Sequence, residues 1–285
     1  MTQLVRVVTD STADLPVPLV EELGIGFVPL QVHFGEEHYR DIVELTPALF
    51  YEKLVNSHVH PRTSQPSPGD YAKEFQRMAA QGAKSIICLC LSSNLSGSFE
   101  SAQIARDMLA ELDIEVLDTR KASLGYGYAA LLGARRAAAG GDKEQVLRQI
   151  WSVLERMHVY FAVDTLEYLQ RNGRIGRAKA LLGTLLEIKP VLTLDADGYV
   201  AEYEKVRGAK RVLPRLVDIV CEKISPGSRV RGGIAHCAAL DKAERIHELL
   251  QERYQIEELI IHDLGAVIST HVGPGTTGIF LTKAD

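Results

Sequence analysis

Ser85-Ile86-Ile87-Cys88-Leu89-Cys90-Leu91 runs straight into Ser92-Ser93-Asn94-Leu95-Ser96-Gly97, and that loop into Ser98-Phe99-Glu100-Ser101-Ala102-Gln103-Ile104-Ala105. The first stretch is apolar and of strand length, so it reads as a buried strand; the last carries its apolar residues at helical spacing. A buried strand feeding a helix through a short polar loop is the unit of a parallel sheet covered on both faces. Ser96 and Gly97 then lie where the strand ends and the helix begins. Unpaired backbone N–H groups and the positive end of a helix dipole favour an anion there. A serine in that place is also an ordinary N-cap, and the residues alone leave both roles open.

The alternation continues on both sides. Strands are predicted over 6–10, 27–34 and 115–118, and helices over 16–23, 48–56, 69–80 and 121–139, with Asp14 starting the first helix. Gly140-Gly141-Asp142 stops the last of these, and another helix runs over 143–156. From His158 the pattern changes. Asp195-Ala196-Asp197-Gly198 is a hairpin turn between strands over 191–194 and 200–206. Further strands are expected over 159–163, 230–236, 258–262 and 277–281, with helices over 178–186, 213–223 and 241–254. A hairpin inside an α/β order means a mixed sheet. The expected architecture is α/β with two domains: a three-layer α/β/α parallel-sheet domain over 1–157, then an α/β domain with a mixed sheet over 158–285.

The 285 residues are 46% hydrophobic and 24% charged, enough to bury a sizeable core. A net charge of -5 argues against non-specific nucleic-acid binding, and it leaves at most transient membrane contact. The best basic candidates, Arg135-Arg136 and the stretch from Arg207 to Arg215, read as solvated helix faces. Cys88 and Cys90 share one face of a buried strand and, with Cys221 and Cys237, are too scattered for a disulfide framework. No charged leader or membrane-length apolar run is present, so a cytoplasmic location is expected. Oligomeric state is not readable.

In open α/β sheets, ligands sit outside the carboxyl ends of the strands. Asp10-Ser11-Thr12, Ser92 to Gly97 and Asp118-Thr119 occupy such ends. A second hydroxyl-rich loop, Thr63-Ser64-Gln65-Pro66-Ser67-Pro68, precedes a helix instead, with Ser64 or Ser67 as its cap and Pro68 in its first turn. Gly173-Arg174-Ile175-Gly176-Arg177 sets two arginines ahead of a predicted helix, where cations oppose the dipole. Either solvent or a bound phosphate or carboxylate near Arg174 relieves that.

Much chemistry is missing. Leu95-Ser96-Gly97 is not a G-x-S-x-G elbow, although a serine hydrolase or acyl-transferase using Ser96 with His271 as base is conceivable. No Walker or dinucleotide-binding glycine pattern occurs, and Pro274 removes a donor from the glycine-rich run over 273–278, which reads as a tight turn. No metal-ligand spacing is found around His58, His60 or His262. No metal, cofactor or catalytic residue is assigned.

Five segments in register resemble the bacterial DegV family of fatty-acid-binding proteins: Val8 to Pro16, Thr63 to Pro66, Ser92 to Ser98, Leu169 to Ile175 and His271 to Gly278. Ser98 departs from the threonine usual in the family. The resemblance implies a carrier of one long-chain, palmitate-like fatty acid held between two domains. It implies that Thr63 and Ser96, with backbone N–H groups at Ser96 and Gly97, bind the carboxylate. It further implies that a separate ATP-dependent fatty acid kinase subunit converts the ligand to an acyl-phosphate for lipid metabolism, with Arg174 and His271 near the carboxylate and the docking face. Dihydroxyacetone kinases share this architecture at fold level and are the other rival, but neither rival accounts for the Thr63 loop.

Overall fold

The computed structural model describes residues 4–182 and 188–284. Its first half comprises β1 (Val5–Asp10), a 3-10 turn (Ser11–Ala13), α1 (Val17–Glu22), β2 (Gly26–Val28), β3 (Gln31–Phe34), β4 (Glu37–Arg40), α2 (Pro47–Asn56), β5 (Arg62–Ser64), α3 (Pro68–Ala80), β6 (Ser85–Cys90), α4 (Ser98–Met108), β7 (Ile114–Asp118), α5 (Leu124–Ala138) and α6 (Lys143–Arg156). Strands β2-β1-β6-β7 form a parallel sheet in that order. Alternation along β6 sends Ile87 and Leu89 to a core shared with α1, α5 and α6, and Ile86, Cys88 and Cys90 to a second core under α3 and α4. These are the three layers that the apolar run anticipates.

The second half comprises β8 (His158–Ala162), α7 (Glu167–Arg171), a 3-10 segment (Gly176–Leu181), β9 (Ile188–Leu194), β10 (Val200–Arg207), α8 (Val212–Lys223), β11 (Arg229–His236), α9 (Leu240–Gln251), β12 (Gln255–Asp263), α10 (Ala266–Val272) and β13 (Thr277–Lys283). The sheet order is β10-β9-β8-β13-β11-β12, antiparallel except for β11 with β12, and therefore mixed. Helices α8 and α9 cover one face. The other face, through Val159, Phe161, Ala235 and Phe280, joins the core around α5 and α6.

Helix α5 is consequently packed from both sides, and every residue from Leu124 to Ala134 is buried. Its glycines follow from that closeness: a Cβ at Gly127 would stand 2.1 Å from the Ala13 carbonyl oxygen, and one at Gly133 2.6 Å from Ile150 Cγ1.

Four expectations are corrected. The single strand over 27–34 is two, because Pro29 has no N–H to continue the ladder. After it, β3 joins a separate antiparallel sheet, β4-β3-β5, that the sequence did not suggest. Asp14 does not start α1. That helix begins at Val17 with Pro16 in the cap position and no side-chain cap, and Asp14 turns inward. Over 178–186, the described part, to Leu181, is the 3-10 segment, and 183–186 lie outside the described residues. The basic stretches are solvated only in part: residues 207–211 are exposed, whereas Arg135 grips Glu258 and Arg215 grips Glu204 and Glu222. Ser67 does cap α3, in a reciprocal box with Asp70.

Candidate functional site

A largely apolar cavity opens where the carboxyl ends of the parallel strands face the mixed sheet. Leu91, which follows β6, and Leu30, which follows β2, line it from one side; Val159 and Phe161 of β8 and Phe280 of β13 line it from the other. Its open space is about 90 Å³.

Four of the segments that bring polar atoms to this cavity carry Thr63, Ser96, Arg174 and His271. Thr63 lies on β5, opposite Val32 of β3. Strand alternation turns Thr63 and Gln65 to the cavity, while Arg62 lines a separate recess with His33 and His60, and Ser64 Oγ lies 2.8 Å from His33 Nε2. Thr63 Oγ1 is 2.9 Å from His271 Nε2 on α10. Ser96 also lines the cavity; its hydroxyl accepts the Ser98 amide at 3.3 Å and lies 3.1 Å from the Ser98 hydroxyl. The serine expected at the helix start thus makes local contacts of capping type, although Gly97 is the N-cap residue of α4.

Arg174 contributes the cation. Its Nε donates to the Leu95 carbonyl at 3.0 Å and Nη1 to that of Asn172 at 2.9 Å, tying the segment after α7 to the Ser96 loop. Arg174 is partly exposed, so these carbonyls and solvent share its charge. Burial, reinforced by the positive charge of Arg174 and of His60, pulls the His271 pKa down to about 3. The ring is therefore neutral at physiological pH. Among the described residues its Nδ1 is buried without a hydrogen-bond partner.

Other expected positions serve the framework. The Ser96 amide closes a turn on the Ser92 carbonyl at 3.2 Å and is not a free donor, which corrects that part of the expectation. Gly97 does not line the cavity. A Cβ there would stand 2.8 Å from Gln65 Nε2, so glycine lets the Gln65 amide lie close. Asp10 and Thr12 also turn inward. Asp10 accepts the Thr12 amide and the Tyr126 hydroxyl, binding the end of β1 to α5. Asp118 holds the Ser93 amide and hydroxyl. Sequence reasoning missed Gln65 and Ser123 as lining residues. Gln65 stood inside a quoted motif, whereas Ser123 carries a left-handed φ of 54° that no sequence pattern signals.

The hydrolase arrangement finds no support. His271 contacts Thr63 and not Ser96, it lacks an orienting partner at Nδ1, and a ring with so low a pKa is a poor base. Among the described residues, no three His, Cys, Asp or Glu side chains are grouped to hold a metal ion, and no helix is long and apolar enough to cross a membrane.

The family model described as "Uncharacterised protein, DegV family" matches residues 4–284. The chain belongs to the DegV family. Protein DegV of Bacillus subtilis is 34% identical over 96% of this chain and 98% of its own. Its crystal structure, described as that of a fatty acid binding protein, superposes with a TM-score of 0.89, covering 99% of this chain and all of that one. A DegV family protein from Thermus thermophilus, described by its fatty acid binding, superposes at 0.92 with 36% identity and the same coverage. A DegV family protein from Ruminococcus gnavus, at 0.85 and 26% identity with the same coverage, is described with vaccenic acid.

Proposed function

We propose that this DegV protein binds one long-chain fatty acid, with the carboxylate at Thr63 and Ser96 and the tail in the apolar cavity. The observation that carries the reading is the meeting of those four segments at a largely apolar cavity. Thr63 touches His271, Arg174 depresses the proton affinity of His271, and Arg174 is tied to the residue preceding Ser96. The fatty-acid and vaccenic-acid descriptions of its relatives support the same ligand class. We take 1–157 and 158–285 as the two units that enclose the ligand, since the chain passes from the parallel to the mixed sheet between Arg156 and His158.

The physical demands are met as follows. An ionised carboxylate out of water needs donors. The neutral His271 ring donates Nε2–H to Thr63 Oγ1, which leaves the Thr63 proton free to point at the ligand; the opposite tautomer would commit that proton to the ring and bury an unpaired Nδ1–H. The Ser96 hydroxyl supplies a second donor, with the Gly97 amide beside it. At ~0.8 kcal/mol per buried methylene, a tail of about fourteen gains on the order of 11 kcal/mol before ordering costs.

The protein is a carrier rather than an enzyme in this reading. It acts in the cytoplasm and presents the carboxylate to a separate ATP-dependent kinase that forms the acyl-phosphate, with Arg174 and His271 at the face where charge develops. Palmitate, ATP and such a kinase yield acyl-phosphate only when this chain is added. Cleavage of p-nitrophenyl esters by the chain alone would overturn the carrier reading.

A further inference from the structure

The opening motif Val8 to Pro16 lines no part of the cavity, yet one of its carboxyls reaches α10. Asp14, 2% exposed and in left-handed backbone (φ 50°), accepts the Gly265 amide on Oδ1 at 2.8 Å. Asp41, fully buried beyond the β3–β4 hairpin, accepts the next amide, that of Ala266, on its Oδ1 at 2.9 Å. Two carboxyls from distant parts of the chain therefore hold two successive amides at the start of one helix. The Ser123 hydroxyl lies beside the Asp14 carboxyl and the Ser11 hydroxyl beside that of Asp41. The approach is tight: a Cβ at Gly265 would stand 2.9 Å from Asp14 Oδ1 and 3.4 Å from Asp41 Oδ1.

A helix start is ordinarily capped by one exposed Ser, Thr, Asp or Asn side chain. Two buried carboxyls are a costly substitute, and burial pushes both upward in pKa, Asp41 to about 7 and Asp14 well above the usual carboxylate range. The helix they hold has only seven residues. Its face lines the cavity with Ile268 and Val272, and its last turn carries His271. At 1.5 Å of rise per residue, Ala266 and His271 are about 7.5 Å apart along one stiff rod. A shift at the clamped end is carried to the imidazole, where a slip of an ångström breaks the contact with Thr63.

We propose that Asp14 and Asp41 are positioning residues of the carboxylate site: by holding the first two amides of α10 they set His271 against Thr63. What the site binds rests on the fatty-acid reading above, but the placement of His271 is measurable without ligand.

The test has two arms, each comparing wild type, Asp41→Ala and Asp41→Asn. The amide side chain of Asn keeps an acceptor for Ala266. In the first arm, ¹⁵N NMR follows titration of the His271 ring in the free protein. Asp41→Ala moves that titration up by at least one pH unit, and Asp41→Asn restores most of the wild-type behaviour. In the second arm, affinities for palmitate and for hexadecanol, which has the same tail without a carboxylate, are compared. Asp41→Ala weakens palmitate tenfold or more and hexadecanol less than threefold, and adding His271→Ala causes little further loss. A purely structural role lowers the melting temperature but leaves the ring titration and the acid-to-alcohol ratio unchanged, and that result overturns the proposal. Asp41→Ser, too short to reach the amide but still polar, serves the same comparison should the alanine variant not fold. If wild type takes up no palmitate, the fatty-acid reading fails, and the ring titration alone decides the clamp.

Discussion

Thr63 Oγ1 and His271 Nε2 lie 2.9 Å apart, joining β5 to α10 across 208 residues of chain. The contact brings together two segments that sequence spacing cannot relate. It also makes the hydroxyl chemistry of β5 depend on how α10 is held.

Thr63→Ala and Ser96→Ala should each weaken palmitate binding by ~1.5–3 kcal/mol, the range for a lost hydrogen bond to a charged group. Their effect on unfolding should stay near the ~1 kcal/mol of a lost cap. Calorimetric titration beside thermal denaturation separates the two. A lower melting temperature with unchanged affinity would leave Ser96 as a structural residue only.

Arg174→Ala should keep palmitate affinity within a few fold while depressing acyl-phosphate formation by an added kinase. A guanidinium fork suits a developing acyl-phosphate better than a buried tail. Arg174→Lys should not restore turnover, because a point charge cannot span the Leu95 and Asn172 carbonyls and still face the ligand. Full turnover by either variant would remove Arg174 from the transfer step.

Two buried groups should tilt stability with pH in opposite senses. His271 titrates near 3 when folded against about 6.5 unfolded, so the unfolded chain binds the extra proton between those values. Its contribution is complete above pH 6.5 and is lost as pH falls toward 3. Asp41 titrates near 7 when folded against about 3.9 unfolded, so the native state binds the extra proton. Its contribution is complete below pH 3.9 and is lost as pH rises through 7. Urea unfolding between pH 4 and 8 should show a weaker acid-side loss in His271→Gln and a weaker neutral-side loss in Asp41→Asn. Parallel curves for wild type and both variants would contradict these assignments.

Gly127→Ala should destabilise despite alanine's better helix propensity of ~1 kcal/mol. The added methyl would stand 2.1 Å from the Ala13 carbonyl oxygen, and backbone there cannot yield cheaply. Overpacking costs ~1–3 kcal/mol, so a drop in melting temperature is expected; a rise would mean that α5 has room to shift.

The sequence was most legible where periodicity and burial agree. The run Ser85 to Leu91 is buried on both faces and read correctly as a buried strand of a parallel sheet, and Asp195 to Gly198 read correctly as the turn of an antiparallel pair. The pattern misled where a single residue overrode it. Pro29 divides one apparent strand between two sheets, and Asp14 follows a helix-start pattern yet spends its carboxyl on an amide 251 residues away. Short elements carried too little periodicity to be seen, notably β4, β5 and α10. Thr63, Ser96, Arg174 and His271 were marked by their residue types and by family resemblance, but their common cavity comes from tertiary packing.

Native mass spectrometry of the purified protein, before and after addition of palmitate, tests the central claim most directly. The account predicts one bound acid per chain, either carried through purification or taken up on addition, with uptake reduced in Thr63→Ala and Ser96→Ala. A bare polypeptide that takes up no palmitate at any ratio would contradict it.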